Sequence, residues 1–225
     1  MKVRIKFSKY GPVRFLGHLD VMRYFQKALR RADIDVAYSG GFSPHQIMSF
    51  AAPLSVGHTS SGEYFDIEIH TFTSEKELQE QLQEVMVEGF DILEVQLLPE
   101  KEKNAMAGVA AADYLVSFSD RVSLPTDWKD RLMEFYGQEK IPVTKTTKKG
   151  QRQVDLKEGV YVLEVRGDAV YMLVDAGSGS NIKPGFVLET FFEKSGLPLP
   201  RHPFRIHRIE TYRRKEDGHL APLIS

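Results

Sequence analysis

The sequence contains no cysteine, and that absence excludes several kinds of chemistry. Disulfide bonds, zinc–thiolate sites, iron–sulfur clusters and cysteine nucleophiles all require a thiol side chain. The histidines show no His-x3-His spacing and no accompanying cluster of acidic ligands, so we predict no metal site and no bound cofactor. A chain without disulfides suits a reducing compartment, and we expect it in the cytoplasm.

Long apolar runs are also missing. The chain opens with a strand-like alternation of apolar and charged residues over Val3–Phe7, and no apolar signal-peptide core follows it. No apolar stretch approaches the roughly 20 residues that span a bilayer as a helix. We therefore expect no membrane partner.

Charge is sorted along the chain, although the formal net charge is only −1. Residues 1–50 hold nine Lys or Arg and three Asp, which gives +6, whereas residues 60–104 hold three Lys and twelve Asp or Glu, which gives −9. A basic segment in a nearly neutral protein indicates a polyanionic partner at one surface.

The first hundred residues show strand and helix patterns in the order β-α-β-β-α-β. Asp20 is the expected N-cap of the first helix, and Ser74 with Glu77 resembles a capping box that opens the second. The order predicts a ferredoxin-like unit of helices packed on an antiparallel sheet. The predicted elements are a strand over 2–8, a helix over 21–32, extended runs at 34–39 and 46–54, a strand over 63–69, a helix over 75–87 and a strand over 90–97.

A charged and alanine-rich segment, residues 99–112, is predicted as a linker to a second unit with the same order of elements. Arg166–Asp168 suits a hairpin turn within that unit. We therefore predict an α+β protein of two tandem ferredoxin-like (βαββαβ) units, in domains 1–98 and 113–225. The predicted elements of the second unit are a strand over 114–118, a helix over 127–136, strands within 141–156 and 160–175, a helix over 184–195 and a strand over 205–212.

Four segments carry a resemblance to a known family: Phe15–Asp20, Ala28–Ala32, Tyr38–His45 and Pro53–Gly57. They look like the radical-SAM-linked uncharacterised domain family of bacteria, whose members are fused to, or encoded beside, a radical-SAM protein. In the second half, Lys148–Gly150 and Val154–Asp155 are the recognisable points. The resemblance implies a companion domain whose radical-SAM partner supplies the iron–sulfur chemistry that a chain without cysteine lacks.

A second resemblance is architectural. Tandem ferredoxin-like units with a basic first helix and a glycine-rich loop are similar to the RNA-binding and RNA-processing proteins of CRISPR systems. Some of those proteins cleave RNA with a histidine near the first helix. The resemblance implies RNA as a ligand, although a shared fold does not by itself transfer a function.

The first predicted helix has one basic face. Its cations recur at i, i+4, i+7 and i+8, and no acidic residue alternates with them between Val21 and Ala32. Such a face is either simply solvated or a phosphate-binding surface. Two cations on the preceding strand share one sheet face and would extend it. The predicted RNA-binding residues of this region are Arg4, Lys6, Arg23, Lys27, Arg30 and Arg31.

The loop Ser39–His45 is a further candidate site. Its paired glycines allow positive φ and expose backbone N–H groups, which suits an anion. Phe42 is either folded into the core or a stacking surface for a base, with Ser43 beside it. The Gly-x4-Gly-Lys spacing of a P-loop is absent.

Three residues are candidates for acid–base catalysis on RNA. His18 stands at the entry to the first helix, where it is either a partly buried structural histidine or a general acid or base. His45 in the glycine loop is its candidate partner, and Tyr38 a third group. If the two loops converge, these residues would form a metal-independent ribonuclease site.

The second half adds further basic residues. A lysine pair is predicted at a hairpin tip, and a glycine–serine loop leads into a helix whose N-terminus would accept a phosphate. Both features are equally typical of solvated surface and flexible connection. The predicted RNA-binding residues of this half are Lys148, Lys149, Arg152, Lys183, Arg205 and Arg208.

Three functions remain open from the sequence. The first is an RNA-binding module for tRNA or rRNA that acts with a radical-SAM modification enzyme and has no catalytic activity of its own. The second is a metal-independent endoribonuclease that uses His18 and His45. The third is a protein-binding subunit that contacts a basic partner through the acidic residues between 75 and 102.

Overall fold

The computed structural model describes residues 1–147 and 150–224, with backbone only for 145–147, 151 and 152. The helices are α1 (His18–Arg31), α2 (Glu75–Gln83), α3 (Ala105–Gly108), α4 (Trp128–Gly137), α5 (Leu156–Gly159) and α6 (Pro184–Lys194), and a 3₁₀ turn occupies Gly11–Phe15. The strands are β1 (Lys2–Lys9), β2 (Met48–Phe50), β3 (Thr59–Glu68), β4 (Ile92–Leu98), β5 (Val109–Phe118), β6 (Pro142–Thr147), β7 (Gly150–Asp155), β8 (Val160–Arg166), β9 (Ala169–Asp175), β10 (Phe204–Arg214) and β11 (Leu220–Pro222).

The chain divides into two compact units. Unit 1 comprises residues 1–110 and 208–225, and unit 2 comprises residues 111–207. The sequence prediction assigns 113–225 to one domain, whereas in the structure the chain from residue 208 onward belongs with the N-terminal unit. Within the described part of the chain, no helix is both long and apolar enough to cross a membrane.

Unit 1 is ferredoxin-like. Its strands follow the order β4-β1-β3-β2, and every one of these pairings is antiparallel. With α1 after β1 and α2 after β3, the predicted β-α-β-β-α-β order is confirmed. The last residues of β10 lie beside β3, and β11 pairs with them.

Helix α1 begins three residues earlier than the sequence pattern predicts. Gly17 is its N-cap, so the prediction that Asp20 caps the helix is wrong. Asp20 lies instead in the first turn, where a carboxylate interacts favourably with the positive end of the helix dipole. The buried residues recur at helical spacing and are Val21, Phe25, Ala28 and Leu29.

Aromatic rings fill the core between α1 and the sheet of unit 1. Phe7 lies among Phe25, Phe50, Phe65 and Phe90, with ring centroids 4.7 to 6.2 Å away. The tilted and edge-on arrangements are those that aromatic quadrupoles favour. This core fixes the position of α1 and of the segments at both of its ends.

Unit 2 repeats the same topology with one insertion. The strand order β10-β5-β9-β8, with α4 after β5 and α6 after β9, is again β-α-β-β-α-β. The hairpin β6–β7 and the short α5 are inserted between α4 and β8. The predicted turn is confirmed, because Gly167 adopts φ 61° between β8 and β9. The fold is therefore α+β with two ferredoxin-like units.

Candidate nucleic-acid interface

The predicted basic face of α1 is exposed. Arg23, Lys27, Arg30 and Arg31 all lie on the side opposite the buried residues of the helix. Arg23 Nη1 lies 3.7 Å from Asp20 Oδ1 in a solvent-exposed pair. Such a pair contributes little to stability, so Arg23 can readily leave Asp20 for a phosphate. The face therefore presents cations that a phosphate backbone can reach.

The entry to α1 is positioned by a buried lysine. The ammonium group of Lys9 donates to the carbonyl oxygens of Leu16, at 2.8 Å, and Arg14, at 3.3 Å. Burial lowers the pKa of Lys9, an effect that Glu63 opposes and Arg208 reinforces. Lys9 thus holds the turn that leads into the helix.

A second buried cation positions the segment before β3. Arg208 donates to Glu63 Oε1 at 2.8 Å and to the carbonyl oxygen of Ala52 at 3.2 Å. Both side chains are almost fully buried. The prediction that Arg208 contacts RNA is therefore wrong, because its charge is already neutralised and removed from solvent.

Exposed apolar side chains border this region of unit 1. The backbone N–H of Gly57 donates to the carbonyl oxygen of Arg14 at 2.8 Å, which joins the turn after β2 to the turn before α1. Phe15, Leu19 and Val56 emerge from these joined segments with about 60% of their surfaces exposed (61%, 59% and 58%). Sequence reasoning missed them as site residues. Their signal was apolar side chains close to Gly17 and Gly57, in turns for Phe15 and Val56 and in the first turn of α1 for Leu19.

The glycine loop is closed by its end residues. The Ser39 N–H donates to the His45 carbonyl oxygen at 2.8 Å, and Ser39 Oγ lies 2.8 Å from His45 Nδ1. Gly41 adopts φ 98°, the left-handed region that glycine reaches most readily. Phe42 is fully exposed at the tip, so of the two interpretations the structure favours an accessible ring over a core residue. Ser43 is also exposed.

The three candidate catalytic residues contact different groups. The His18 ring meets Phe50 edge-on at 5.5 Å between centroids, whereas His45 is bonded to Ser39 within its own loop. Tyr38 is half exposed at the base of that loop. Over the described residues no hydrogen bond joins His18 to His45, and no group of three metal-binding side chains occurs. His18 and His45 are therefore positioned by separate contacts and not by each other.

The two predicted RNA-binding cations of β1 are already engaged. Arg4 is almost completely buried, and its Nε lies 2.8 Å from Asp66 Oδ1. Lys6 lies 2.5 Å from Glu210 Oε2 and is largely withdrawn from solvent. The prediction that these residues extend the basic face of α1 is therefore wrong. They point to the opposite side of the sheet, where carboxylates neutralise them.

The predicted residues of the second half are scattered. Lys148 and Lys149 lie outside the described residues, and the side chain of Arg152 is not described. Lys183 is exposed at the N-cap of α6, as the prediction requires. Arg205 is exposed, and its Nη2 lies 3.0 Å from Asp120 Oδ2. Unit 1 therefore carries the most complete candidate site.

These features define an α+β protein of two ferredoxin-like units whose first unit presents an exposed basic helix and a glycine loop. Residues 2–184 match the profile of a family described as "Uncharacterized protein conserved in bacteria (DUF2344)". The chain belongs to that family, which confirms the expectation of an uncharacterised bacterial family.

A solved structure supports the fold alone. The chain is similar to one chain of a crystal structure of a Cbf5-Nop10-Gar1 complex, with a TM-score of 0.50 and 14% sequence identity. The similarity covers 93% of this chain and 48% of that chain, so this protein spans about half the length of its structural neighbour. No curated protein sequence matches the chain significantly.

Proposed function

We propose that this protein is an RNA-binding module for tRNA or rRNA, and that it acts beside a radical-SAM modification enzyme. The exposed basic face of α1 is the observation that supports this function best. Its cations keep their solvent contact, whereas Arg4, Lys6 and Arg208 in the same unit are each neutralised by a carboxylate.

The chemistry of the exposed groups suits RNA. Cations on a helix neutralise phosphates and release condensed counterions, which gives an affinity that depends steeply on salt. An aromatic ring on a loop offers a stacking platform for an unpaired base, and Phe42 is fully exposed. Helix α1 would bind the phosphate backbone and the ring of Phe42 would stack on a base. Together they provide the two kinds of contact that recognition of structured RNA needs.

The proposed radical-SAM partner would carry out the reaction. A chain without cysteine cannot ligate an iron–sulfur cluster through thiolates. In this arrangement the module binds the RNA and the partner modifies it. The separate contacts of His18 and His45 favour this division of labour over cleavage by the chain itself.

The test is fluorescence polarisation with bulk tRNA and rRNA fragments over a salt series. The variant Arg23→Ala/Lys27→Ala/Arg30→Ala should bind more weakly, and its plot of log affinity against log salt should be shallower by about 2 to 3 units. The matched control is Lys76→Ala/Lys140→Ala/Lys194→Ala, which removes the same charge from exposed lysines elsewhere. It should retain most of the affinity.

Two results would contradict the proposal. Absence of RNA binding by the unmodified protein at low salt would exclude RNA and leave the protein-binding function through the acidic residues between 75 and 102. Equal weakening by the two triple variants would show that only net charge matters. RNA should remain intact on a denaturing gel, and discrete cleavage that is lost in His18→Ala would favour the ribonuclease instead.

A further inference from the structure

Unit 1 contains a cleft that is separate from the basic face of α1. It has a volume of about 800 Å³ and lies between the segment 101–103 and the turn after β10, residues 215–217, with residues 107–110 also lining it. Ligand pockets of proteins typically have volumes of roughly 300 to 1,000 Å³. The cleft is therefore large enough for a nucleotide-sized molecule.

The charge of the cleft favours an anion. Its lining has five Lys or Arg and three Asp or Glu, and five minus three gives +2. Glu102 is already paired with Arg213 at 3.2 Å, and Asp217 Oδ1 accepts the backbone N–H of His219 at 2.9 Å. Two of the three carboxylates of the lining are therefore partly occupied, and the excess positive charge lies with the lysines and Arg214.

Three lysines in the lining have no partner for their ammonium groups. In residues 1–147 and 150–224, Lys101, Lys103 and Lys215 make neither an ion pair nor a hydrogen bond through Nζ. Their positive charge exceeds the negative charge of Glu216 and Asp217 in the same lining, and an anion with several oxygen acceptors would reduce the remaining repulsion. A lysine ammonium group is a point charge with three donors, which suits a phosphate.

The remaining wall is apolar and composed of small residues. Ala107, Gly108, Val109 and Ala110 line it, and they leave room for a flat ring. We propose that this cleft binds a small phosphorylated ligand of nucleotide size, with the phosphates on the lysines and the ring against the apolar wall. This site lies on the side of the sheet that Arg4 faces, away from α1, and it does not rest on RNA binding by the helix.

The test is calorimetric titration of the full chain with ATP, AMP and adenosine at low salt. ATP should bind more tightly than AMP because it carries more charge, and adenosine should give no measurable heat. The variant Lys101→Ala/Lys103→Ala/Lys215→Ala should weaken ATP binding by about tenfold or more. The control Lys76→Ala/Lys140→Ala/Lys194→Ala should bind ATP within about twofold of the unmodified protein.

The result is independent of the RNA experiment. The α1 variant Arg23→Ala/Lys27→Ala/Arg30→Ala should lose RNA affinity and keep ATP affinity. A 5′-phosphorylated oligonucleotide that displaces ATP, where its 5′-hydroxyl counterpart does not, would identify an RNA end as the source of the phosphate. The proposal is overturned if ATP gives no heat at millimolar concentration, or if the cleft and control variants weaken its binding equally.

Discussion

The side chains of Arg4 and Asp66 form a two-pronged ion pair inside unit 1, with Nε 2.8 Å from Oδ1 and Nη2 3.0 Å from Oδ2. The other contacts of the pair reach distant parts of the chain. Arg4 donates to the carbonyl oxygens of Lys103 and Leu223, and the Ala105 N–H donates to Asp66 Oδ2. Through these hydrogen bonds the pair holds the segment after β4 and the C-terminal segment against the sheet.

Removing only the cation of this pair should destabilise the protein strongly. Arg4→Met leaves the carboxylate of Asp66 buried without its charge partner, and we expect a loss of about 3 to 5 kcal/mol in the free energy of unfolding. The double variant Arg4→Met/Asp66→Leu should recover a large part of it, because both charges are then absent. Urea denaturation of the unmodified protein, the single variant and the double variant measures the three free energies of unfolding.

The exposed pair on α1 provides the control. Arg23→Met removes a cation of the same type from a pair with Asp20, and the change in unfolding free energy should be within about 0.5 kcal/mol. A loss for Arg4→Met as small as that for Arg23→Met would show that the buried pair does not fasten these segments.

A close approach of two strands makes Gly62 sensitive to substitution. A Cβ at this position would lie 2.5 Å from Glu210 Cα and 2.8 Å from the Ile209 carbonyl oxygen. Gly62→Ala should therefore force β3 and β10 apart and cost about 1 to 3 kcal/mol of unfolding free energy. Thermal and urea denaturation measure the change.

Gly40→Ala is the matched control for this substitution. A Cβ there meets nothing within 4 Å, and Gly40 is not among the glycines with positive φ. We expect a change within about 0.5 kcal/mol. If Gly62→Ala changed the free energy of unfolding as little as Gly40→Ala, β3 and β10 would have more space between them than the structure shows.

The order of elements could be predicted because it depends on local patterns. Alternation in β1, the apolar stripe of α1 and the Ser74 cap of α2 are each properties of a few neighbouring residues. The helix start at His18 was not predicted, since the capping pattern pointed to Asp20. The real N-cap is a glycine that no side-chain signal marks.

Which cations would be exposed could not be read from the sequence. Arg4 and Asp66 are sixty-two residues apart, and only their antiparallel register brings them together. Arg208 and Glu63 meet across an even longer separation. Local patterns predicted the exposed face of α1 because helical spacing decides it, whereas neutralisation by distant carboxylates is a property of the assembled sheet.

The hydroxyl of Tyr64 should make the stability of the protein sensitive to high pH. It donates to Glu210 Oε1 at 2.6 Å, and burial followed by this hydrogen bond raises the pKa of Tyr64 far above its ordinary value. The unfolded chain loses the tyrosine proton near pH 10, whereas the folded protein keeps it. The stabilisation by Tyr64 is therefore complete below pH 10 and declines above it.

Tyr64→Phe isolates this contribution from those of the other ionisable groups. The difference in unfolding free energy between the unmodified protein and the variant should be constant from pH 7 to pH 9 and should shrink above pH 10. Urea denaturation in matched buffers provides the comparison. A difference that stayed constant up to pH 11 would mean that the unfolded and folded chains bind this proton alike.

The exposed ring of Phe42 should contribute to RNA affinity without contributing to the salt dependence. Base–aromatic stacking is worth about 1 to 3 kcal/mol, so Phe42→Ala should weaken tRNA binding by about 5-fold to 150-fold. No counterion is released by stacking, and the slope of log affinity against log salt should stay as in the unmodified protein. The α1 variants should change that slope, which separates the two kinds of contact.

The control for Phe42 is another exposed apolar residue outside the glycine loop. Met133 on α4 is 43% exposed, and Met133→Ala should leave tRNA affinity unchanged. Both variants should unfold at the same urea concentration as the unmodified protein, because neither side chain is in a core. If Phe42→Ala bound tRNA as tightly as Met133→Ala did, the ring would not be a stacking platform, and α1 alone would account for the affinity.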